Sequence, residues 1–260
     1  MKWDPSTYLK FSDERSRPFH DLVARVGAAS PRTVVDLGCG PGDQTVTLAE
    51  RWPSARIVGI DSSADMIARA QQEPGSVDFS VGDVAGWSPS SDVDVVVSNA
   101  TLQWVPTHRS LLTSWAPALP SGGWLAFQVP GNFEAPSHVL LRDLAQSAAW
   151  RNRGDLSGLR GTGAVDTAVE YAERLLGLGC AVDAWETTYV HVLTAVPDGP
   201  HPVLHWMSGT ALRPVRAALS AAEYEAFVAE LEPLLASAYP VVDGRTLLPF
   251  RRIFVVSQRP

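Results

Sequence analysis

The sequence predicts a doubly wound α/β fold organised around a parallel β-sheet. Between residues 33 and 129, short apolar runs alternate with amphipathic segments, and turns containing glycine or proline separate them. Runs of this length are typical of buried strands, and strands joined by crossover helices form a parallel sheet with right-handed connections. The predicted strands are Thr33–Leu37, Arg56–Ile60, Val77–Val81, Val93–Ser98 and Trp124–Val129.

Helices are predicted from the spacing of apolar residues and from capping signals. Pro18–Val26 carries its apolar residues on one face, which indicates a helix before the first strand. Thr45–Arg51 follows a glycine-rich turn, and Ser62–Gln72 begins with serine, a preferred N-cap residue. Leu111–Ala116 is predicted as the helix that precedes the fifth strand.

After residue 130 the alternation of strands and helices ends. Residues 131–180 are predicted as helices and loops, and Pro197–Tyr239 as largely helical. Thr187–Leu193 alternates like a strand, and Ile253–Val256 is predicted as a last strand. We therefore expect two late strands to close the sheet and the helical insertions to cover its carboxyl edge, where ligands bind in open α/β folds.

These patterns predict one domain over residues 1–260, with a helical cap formed by insertions. Its expected parts are an N-terminal arm and helix (1–30), a ligand-binding core (31–130), a substrate cap (131–180 and 197–248) and closing strands (186–193 and 250–257).

The composition is that of an ordinary globular protein. The chain is 45% hydrophobic and 19% charged, with a formal net charge of −7; this balance permits a large core and argues against a nucleic-acid-binding protein. Cys39 and Cys180 are too few for a disulfide scaffold and are predicted to be free thiols of a reducing compartment. No spacing indicates a metal site, no apolar run predicts a membrane helix, and the charged N-terminus is unlike a signal peptide. A cytoplasmic protein is expected.

The strongest ligand-binding signal is the glycine-rich segment VVDLGCGPGDQT at residues 34–45. Glycines allow a tight turn and a close approach of the backbone to a ligand, and the helix that follows points its N–H groups at that ligand. The spacing is G-x-G-x-G, whereas dinucleotide-binding proteins have G-x-G-x-x-G. Asp43 stands where the third glycine would be and would repel a pyrophosphate, which counts against a nicotinamide-dependent oxidoreductase.

Polar residues also follow the next three strands, at the same predicted edge of the sheet. Asp61 ends the second strand, where a carboxylate can accept both hydroxyls of a ribose. Asp83 follows the third strand, where it could accept from an adenine amino group, and Asn99 and Gln103 follow the fourth. Each residue alone could be a structural cap, but together they predict a ligand site at this edge.

The segments VVDLGCGPG, IVGID, Gly82–Asp83 and the SNA that ends the fourth strand resemble class I S-adenosylmethionine-dependent methyltransferases. The longer strings DPSTYLKFSDERSRP, SNATLQWVP, VPGNFEAPSH and VDAWETTYVH resemble the trans-aconitate 2-methyltransferase family, so the resemblance covers nearly the whole chain. It implies a Rossmann-like, seven-stranded sheet with an antiparallel final strand. It also implies transfer of a methyl group from S-adenosylmethionine to one carboxylate of trans-aconitate.

The resemblance also implies which residues bind the cofactor. The glycine-rich turn would line its methionine part, the end of the second strand its ribose and the end of the third its adenine, and the fourth strand would face the methionine end. In the arm, Arg15 or Arg17 would pair with the cofactor carboxylate, as in a lid segment. The implied residues are Arg17, Asp36, Gly38, Cys39, Gly40, Gly42, Asp61, Ser62, Met66, Asp83, Val84, Asn99 and Gln103.

A carboxylate acceptor is already ionised at pH 7, so no general base and no catalytic side chain are expected. Positioning and exclusion of water would dominate the rate. A tricarboxylate needs cations for its remaining charges, and the planar fork of arginine matches a carboxylate. The expected substrate-binding residues are Tyr8, Trp104, His138, Arg142, Tyr189, Arg213 and Arg252; further candidates in the cap are Arg153, Arg160, His191, Trp206 and Arg251.

Two alternative functions remain open. The same core could methylate a carrier-bound acyl carboxylate, or a metabolite hydroxyl or carbon, and the latter acceptors would normally need a base that ionises near neutral pH. A non-catalytic cofactor-binding module would bind S-adenosylmethionine without turnover, although such a module has no need of an arginine-bearing cap. A monomer or a weak homo-oligomer acting on a small anionic tricarboxylate, without nucleic acid or membrane, is the expected assembly.

Overall fold

The computed structural model describes residues 12–260, with side chains described from residue 16 onward. The strands are β1 (Thr33–Leu37), β2 (Arg56–Asp61), β3 (Val77–Val81), β4 (Val93–Asn99), β5 (Trp124–Pro130), β6 (Ala181–Thr194) and β7 (Arg245–Gln258). The α-helices are α1 (Ser12–Val23), α2 (Thr45–Arg51), α3 (Ala64–Ala70), α4 (His108–Ala118), α5 (Pro136–Gln146), α6 (Ala168–Leu176), α7 (Pro202–Ser208), α8 (Arg213–Ala218) and α9 (Ala221–Ala238).

The strands form one seven-stranded sheet in the order β3-β2-β1-β4-β5-β7-β6. The pairs among β1 to β5 are parallel, and β5 pairs with β7 in the antiparallel sense. This confirms the doubly wound, Rossmann-like α/β fold and its antiparallel final strand. The strand order reverses between β1 and β4, and the carboxyl ends of strands at such a switch point border the crevice where ligands bind.

The centre of the sheet is fixed by apolar residues that are covered on both faces. Every residue of β1 is buried, and so are three consecutive valines and the serine of β4, Val95, Val96, Val97 and Ser98. Trp115 of α4 packs beneath the sheet, where its indole N–H donates to the carbonyl of Trp87 at 2.9 Å. Because β1 and β4 are rigidly packed, the loops that leave their carboxyl ends start from fixed positions.

The chain forms two compact units. The first comprises the described residues up to Pro130, together with Val165–Thr187 and Arg252–Pro260; the second comprises Gly131–Ala164 and Thr188–Arg251. In the second unit the ring of Trp150 packs edge-on against Phe227 of α9, with 5.1 Å between centroids. The indole N–H of Trp150 also donates to Glu230 at 3.0 Å.

Three predicted helices have different bounds in the structure. Helix α4 extends from His108 to Ala118 rather than from Leu111 to Ala116. Helix α1 begins at Ser12 rather than Pro18 and ends at Val23, so Pro18 lies inside the helix instead of at its start. Helix α3 is shorter than predicted, since Ser63, and not Ser62, accepts the hydrogen bond from the Met66 N–H.

The two late strands are longer than predicted. β6 begins at Ala181 rather than Thr187, and β7 at Arg245 rather than Ile253. The residues added to β6 are exposed or half-buried, and only Thr246, Leu248 and Arg252 are buried among those added at the start of β7, so few apolar residues mark these segments as strands in the sequence. Within the described part of the chain, no helix is long and apolar enough to cross a membrane.

Candidate active site

A pocket of about 290 Å³ lies at the carboxyl ends of the strands of the first unit. Every part of its wall follows one of the strands β1 to β4, as the topology of a doubly wound sheet requires. The residues that line it are Gly38, Gly40, Asp61, Ser62, Met66, Asp83, Val84, Asn99, Ala100, Thr101, Trp104 and Val105.

The glycine-rich turn after β1 forms one wall of this pocket. The backbone N–H groups of Gly38 and Cys39 both donate to the carbonyl of Ile60, at 2.7 and 3.1 Å, so the turn is fastened to β2. Gly38 has a φ of +81°, and a Cβ added there would lie 2.0 Å from Oγ1 of Thr101. Only glycine permits this conformation and this approach at once. At Gly40 an added Cβ would meet no atom within 4 Å, because the backbone there faces open space.

Asp61 is held in a fixed orientation at the end of β2. Its Oδ2 accepts the N–H of Gly40 at 3.0 Å, and its Oδ1 accepts the N–H of Ser63 at 2.8 Å. An ionised carboxylate has about four acceptor sites, so both oxygens can accept further hydrogen bonds from the pocket. The pair of hydroxyls on a ribose fits this arrangement.

Asn99, at the end of β4, presents an unsatisfied acceptor. Its Nδ2 donates to Oε1 of Gln44 at 3.1 Å, whereas its Oδ1 is buried without a hydrogen-bond partner among residues 16–260. Leaving a buried polar atom unpaired costs about 1–3 kcal/mol. A ligand that carries an N–H donor, such as an amino acid ammonium group, would supply the missing bond. The sequence analysis did not name Gln44 as a site residue. Its position at the start of α2, directly after the glycine-rich turn, could have indicated it.

The turn after Asn99 is strained and braced. Ala100 has a positive φ of 53°, which is uncommon for a residue with a side chain. Its N–H donates to the carbonyl of Gln128 at 2.9 Å, and its own carbonyl accepts from Nε2 of Gln103. Gln103 is buried and does not line the pocket, so its role in the structure is to hold the turn that carries Asn99 and Thr101.

The opposite wall contains the residues expected around an adenine. Met66 and Val84 are buried and offer apolar surface to the pocket, and Ser62 lies between β2 and α3. Asp83 is exposed, and its Oδ1 accepts the N–H of Ala85 at 2.9 Å, which caps the short 3₁₀ turn there.

Three further residues implied for the cofactor, Asp36, Cys39 and Gly42, do not line the pocket. Asp36 is buried and accepts a hydrogen bond from Oγ1 of Thr45 at 2.6 Å. The Cys39 thiol is buried, which strongly raises its pKa and makes it unreactive, as expected. Gly42 has a φ of +87°, and an added Cβ there would lie 2.8 Å from the side chains of Ala70 and Phe79. The contacts of Asp36 and Gly42 therefore help to fix the shape of the turn.

Burial, together with the nearby charges of Asp61 and Asp43, raises the pKa of Asp36 to about 7 against the opposing hydrogen bond from Thr45. Between about pH 4 and pH 7 the folded chain therefore keeps a proton that the unfolded chain has lost. The free energy of unfolding should fall as the pH rises through this window, by up to about 4 kcal/mol.

Asp36→Asn should remove this part of the pH dependence, because a neutral amide replaces the buried carboxyl. We expect the variant to unfold at higher urea than the unmodified chain at pH 8, and at similar urea near pH 4.5. Asp78→Asn is the control, since Asp78 is an exposed partner of Arg56. If Asp36→Asn shows the same decline in stability between pH 4.5 and 8 as the unmodified chain, a buried ionising Asp36 is excluded.

Of the three arm residues implied for the site, the structure describes the side chain of Arg17. Tyr8 lies outside the described residues, and the side chain of Arg15 is not described. Arg17 lies on α1, where its side chain is 73% exposed and pairs with Asp21 at 3.9 Å, so the structure does not bring it to the pocket lining.

Three of the residues expected to bind substrate lie in the second unit around a small cavity. His138 and Arg142 of α5 line this cavity together with Arg160, and Arg213 begins helix α8 beside it. Arg160 was named in the sequence only as a further candidate. The other lining residues are apolar: Leu141, Leu159, Ala211 and Pro214.

The remaining substrate candidates are dispersed. Trp104 lines the pocket of the first unit. Arg252 was expected just before the last strand, but it lies within β7, buried, with its Nη1 donating to Oε1 of Gln128 at 3.1 Å. Tyr189 is buried on β6 and does not line the cavity around Arg160.

Comparisons with known proteins identify related chains. Residues 34–123 match the methyltransferase domain family. A trans-aconitate 2-methyltransferase of Rhodococcus jostii (strain RHA1) is 56% identical over 257 residues, which cover 98% of this chain and 99% of that protein. The corresponding protein of Mycobacterium sp. (strain KMS) is 55% identical with the same coverage. The phosphoethanolamine N-methyltransferase 2 of Haemonchus contortus, solved with S-adenosyl-L-methionine, superimposes with a TM-score of 0.52 at 16% identity, over 94% of this chain and 52% of that one.

The seven-stranded fold, the glycine turn and the pocket at the switch point define a class I S-adenosylmethionine-dependent methyltransferase. The identity to the two bacterial relatives extends over both units and not only over the cofactor-binding core. The chain belongs to the trans-aconitate 2-methyltransferase family.

Proposed function

We propose that the chain transfers the methyl group of S-adenosylmethionine to one carboxylate of trans-aconitate and releases the monomethyl ester. The observation that supports this most is the chemistry of the pocket lining. Among the described residues that line the pocket, the titratable side chains are Asp61 and Asp83, and none is a histidine, lysine or cysteine. Such a lining suits an acceptor that needs no deprotonation, which is what a carboxylate is.

The residues of the first unit fit the proposed cofactor group by group. Asp61 would accept the ribose hydroxyls, Met66 and Val84 would flank the adenine, and Oδ1 of Asn99 would accept from the ammonium group. When bound, S-adenosylmethionine supplies a methyl group on a positively charged sulfur that a nucleophile can displace in line. Trp104 forms a wall of the same pocket and would exclude water from it.

The acceptor is ionised before it binds, because carboxylic acids titrate near pH ~4. The protein then has to orient one carboxylate and neutralise the others, and good orientation alone can contribute about 7–11 kcal/mol to the rate. The expected cations are Arg142 and Arg213 in the second unit, with His138 as a neutral hydrogen-bonding group. We assign Arg252 a structural part instead, because it is tied to Gln128.

We further infer a cytoplasmic enzyme that acts on this small anionic substrate as a monomer or weak homo-oligomer. The free, buried thiols of Cys39 and Cys180 support a reducing compartment. Thermal stability measured with and without reductant, together with the mass in solution, would check both statements.

The function is tested by a methyl-transfer assay with trans-aconitate beside cis-aconitate, citrate and isocitrate. We expect the monomethyl ester to form preferentially from trans-aconitate, with S-adenosylhomocysteine released in equal amount. Calorimetric titration with S-adenosylmethionine is run on the same preparation. Cofactor binding without transfer to any of these acids would overturn the proposed substrate and leave the cofactor site intact.

A further inference from the structure

We propose that Gln44 is a positioning residue for Asn99, and that their hydrogen bond makes the pocket select ligands that carry a charged amino group. Gln44 acts by turning the Asn99 amide so that its oxygen, and not its NH₂ group, is left for a ligand. This inference rests on the part of the proposed function that places the ammonium group of the cofactor at Asn99, and not on trans-aconitate.

The backbone of Gln44 is fixed where the glycine-rich turn enters helix α2. Its carbonyl accepts two hydrogen bonds from Thr47, one from the N–H at 3.1 Å and one from Oγ1 at 2.7 Å. Gln44 is the N-cap residue of α2, yet its side chain makes no capping hydrogen bond. N-cap side chains usually accept from the first turn of their helix, and short polar residues are preferred there. The amide of Gln44 is therefore available to a residue outside its own helix.

Asn99 is held at the end of β4 by the neighbouring strand and by the turn that follows. It pairs with Gln128 in the register of β4 and β5, and its carbonyl accepts from Oγ1 of Thr101 at 3.2 Å. Because both backbones are fixed, the main freedom left to the pair is the rotation of the two side-chain amides. The hydrogen bond from Nδ2 of Asn99 to Oε1 of Gln44, 3.1 Å long, restrains that rotation.

The direction of this hydrogen bond decides what Asn99 offers to a ligand. An amide oxygen only accepts hydrogen bonds, and an amide NH₂ group only donates them. Since Nδ2 donates to Gln44, the buried Oδ1 is the atom of Asn99 that has no hydrogen-bond partner among residues 16–260. The reverse pairing, in which Gln44 donates, would turn the NH₂ group of Asn99 towards the pocket and repel an ammonium group.

The charges around Asn99 also favour a cationic donor. Asn99 lines the pocket together with two carboxylates, those of Asp61 and Asp83. None of the described lining residues is a lysine, arginine or histidine, so an ammonium group would meet no like charge from the pocket wall. A hydrogen bond from a charged donor is also shorter and stronger than one from a neutral donor.

The experiment measures how much the amino group of a ligand contributes to binding. The Kd values of S-adenosylhomocysteine and of its analogue with hydrogen in place of the amino group are determined by calorimetry. Gln44→Met removes the acceptor at similar length. We expect it to raise the Kd of S-adenosylhomocysteine by at least about 10-fold, as for the loss of a hydrogen bond to a charged group. The Kd of the analogue should stay nearly unchanged.

Two further variants serve as controls for the loss of the acceptor. Gln44→Glu keeps an acceptor at the same place, so it should preserve the difference in Kd between the two ligands, and it guards against a methionine variant that fails to fold. Gln72→Met is the matched control, since Gln72 is exposed and does not line the pocket. It should bind both ligands like the unmodified enzyme.

The action through Asn99 is tested by combining Gln44→Met with Asn99→Ala. Once Asn99 is alanine, Gln44→Met should have no further effect on the Kd of S-adenosylhomocysteine, because coupled residues are not additive. Additive losses would overturn the proposal, and so would an equal loss of affinity for both ligands or no loss at all. A Gln44→Glu variant as weak as Gln44→Met would show that Gln44 donates to Asn99, which also overturns it.

These outcomes are independent of the acceptor, because S-adenosylhomocysteine binds without trans-aconitate. If binding depends on Gln44 and on the amino group of the ligand, but no methyl group reaches trans-aconitate, the proposed substrate fails and the role of Gln44 stands. If trans-aconitate is methylated and Gln44→Met binds both ligands like the unmodified enzyme, the reverse holds.

Discussion

Replacing Gly38 by alanine is expected to abolish the binding of S-adenosylmethionine. The added Cβ would lie 2.0 Å from Oγ1 and 2.4 Å from Cγ2 of Thr101, and φ at Gly38 is +81°. The left-handed conformation costs about 1–2 kcal/mol for a residue with a side chain, and forced overpacking costs about 1–3 kcal/mol more. Because the turn and the Asn99–Thr101 segment would move apart, we expect the cofactor Kd in calorimetry to rise by at least about 100-fold.

Two further variants separate the clash from the backbone strain. Gly40→Ala also adds a side chain at positive φ, here +57°, but its Cβ meets no protein atom within 4 Å, so the turn should keep its shape. Gly38→Ala combined with Thr101→Gly removes the three atoms of Thr101 that the added Cβ would contact, Oγ1, Cγ2 and Cβ. This double variant should recover part of the cofactor affinity. Undiminished cofactor binding by Gly38→Ala alone would show that the turn is not packed against Thr101.

Asp61→Asn should weaken the cofactor with little effect on the fold. The carboxylate orients its oxygens through the N–H groups of Gly40 and Ser63 and is expected to accept the ribose hydroxyls. A hydrogen bond to a charged group contributes about 1.5–3 kcal/mol, so we expect the Kd of S-adenosylmethionine to rise by about 10- to 150-fold.

The rate at saturating cofactor should change much less than the Kd, because Asp61 binds without taking part in the displacement. Asp65→Asn is a matched control, since Asp65 is exposed on α3 and does not line the pocket. A variant of Asp61 with unchanged Kd but a lost kcat would contradict the ribose assignment and would place this carboxylate beside the reacting atoms.

The five strands of the parallel part of the sheet were predicted more accurately than the two late strands. β1 and β3 have the predicted bounds, and β2, β4 and β5 each extend one residue further, because their apolar runs end in clear turn signals. The first half of β6 and of β7 was missed. In β6 these residues are exposed or half-buried, and in β7 the buried residues Thr246 and Leu248 are separated by exposed ones, so tertiary pairing contributes more than hydrophobicity to making them strands.

The pocket of the first unit could be predicted because its residues follow consecutive strands. The topology of a parallel sheet alone brings such residues to one edge. The residues that contact these pocket residues from other parts of the chain could not be predicted. Thr101 explains why Gly38 must be glycine, and Gln44 holds Asn99, yet neither follows from local spacing.

Arg252 was expected to bind substrate because it directly precedes the last predicted strand, whereas Arg160 was only a further candidate. Its neighbour Gln128 stands on β5, and the strand pairing that brings them together could not be read from residue types. The place of Arg160 depends on the path of the irregular segment between α5 and α6, whose sequence carries no periodic pattern.

The most direct test of the whole account is to follow a labelled methyl group. The enzyme is incubated with trans-aconitate and S-adenosylmethionine that carries a deuterated methyl group, and the product is then treated with alkali. We predict a labelled monomethyl product from which alkali releases all of the label as methanol and regenerates trans-aconitate, as for a carboxylate ester. Label that survives alkali on the acid would mean methylation at carbon or at a hydroxyl, and would contradict a mechanism that needs no base.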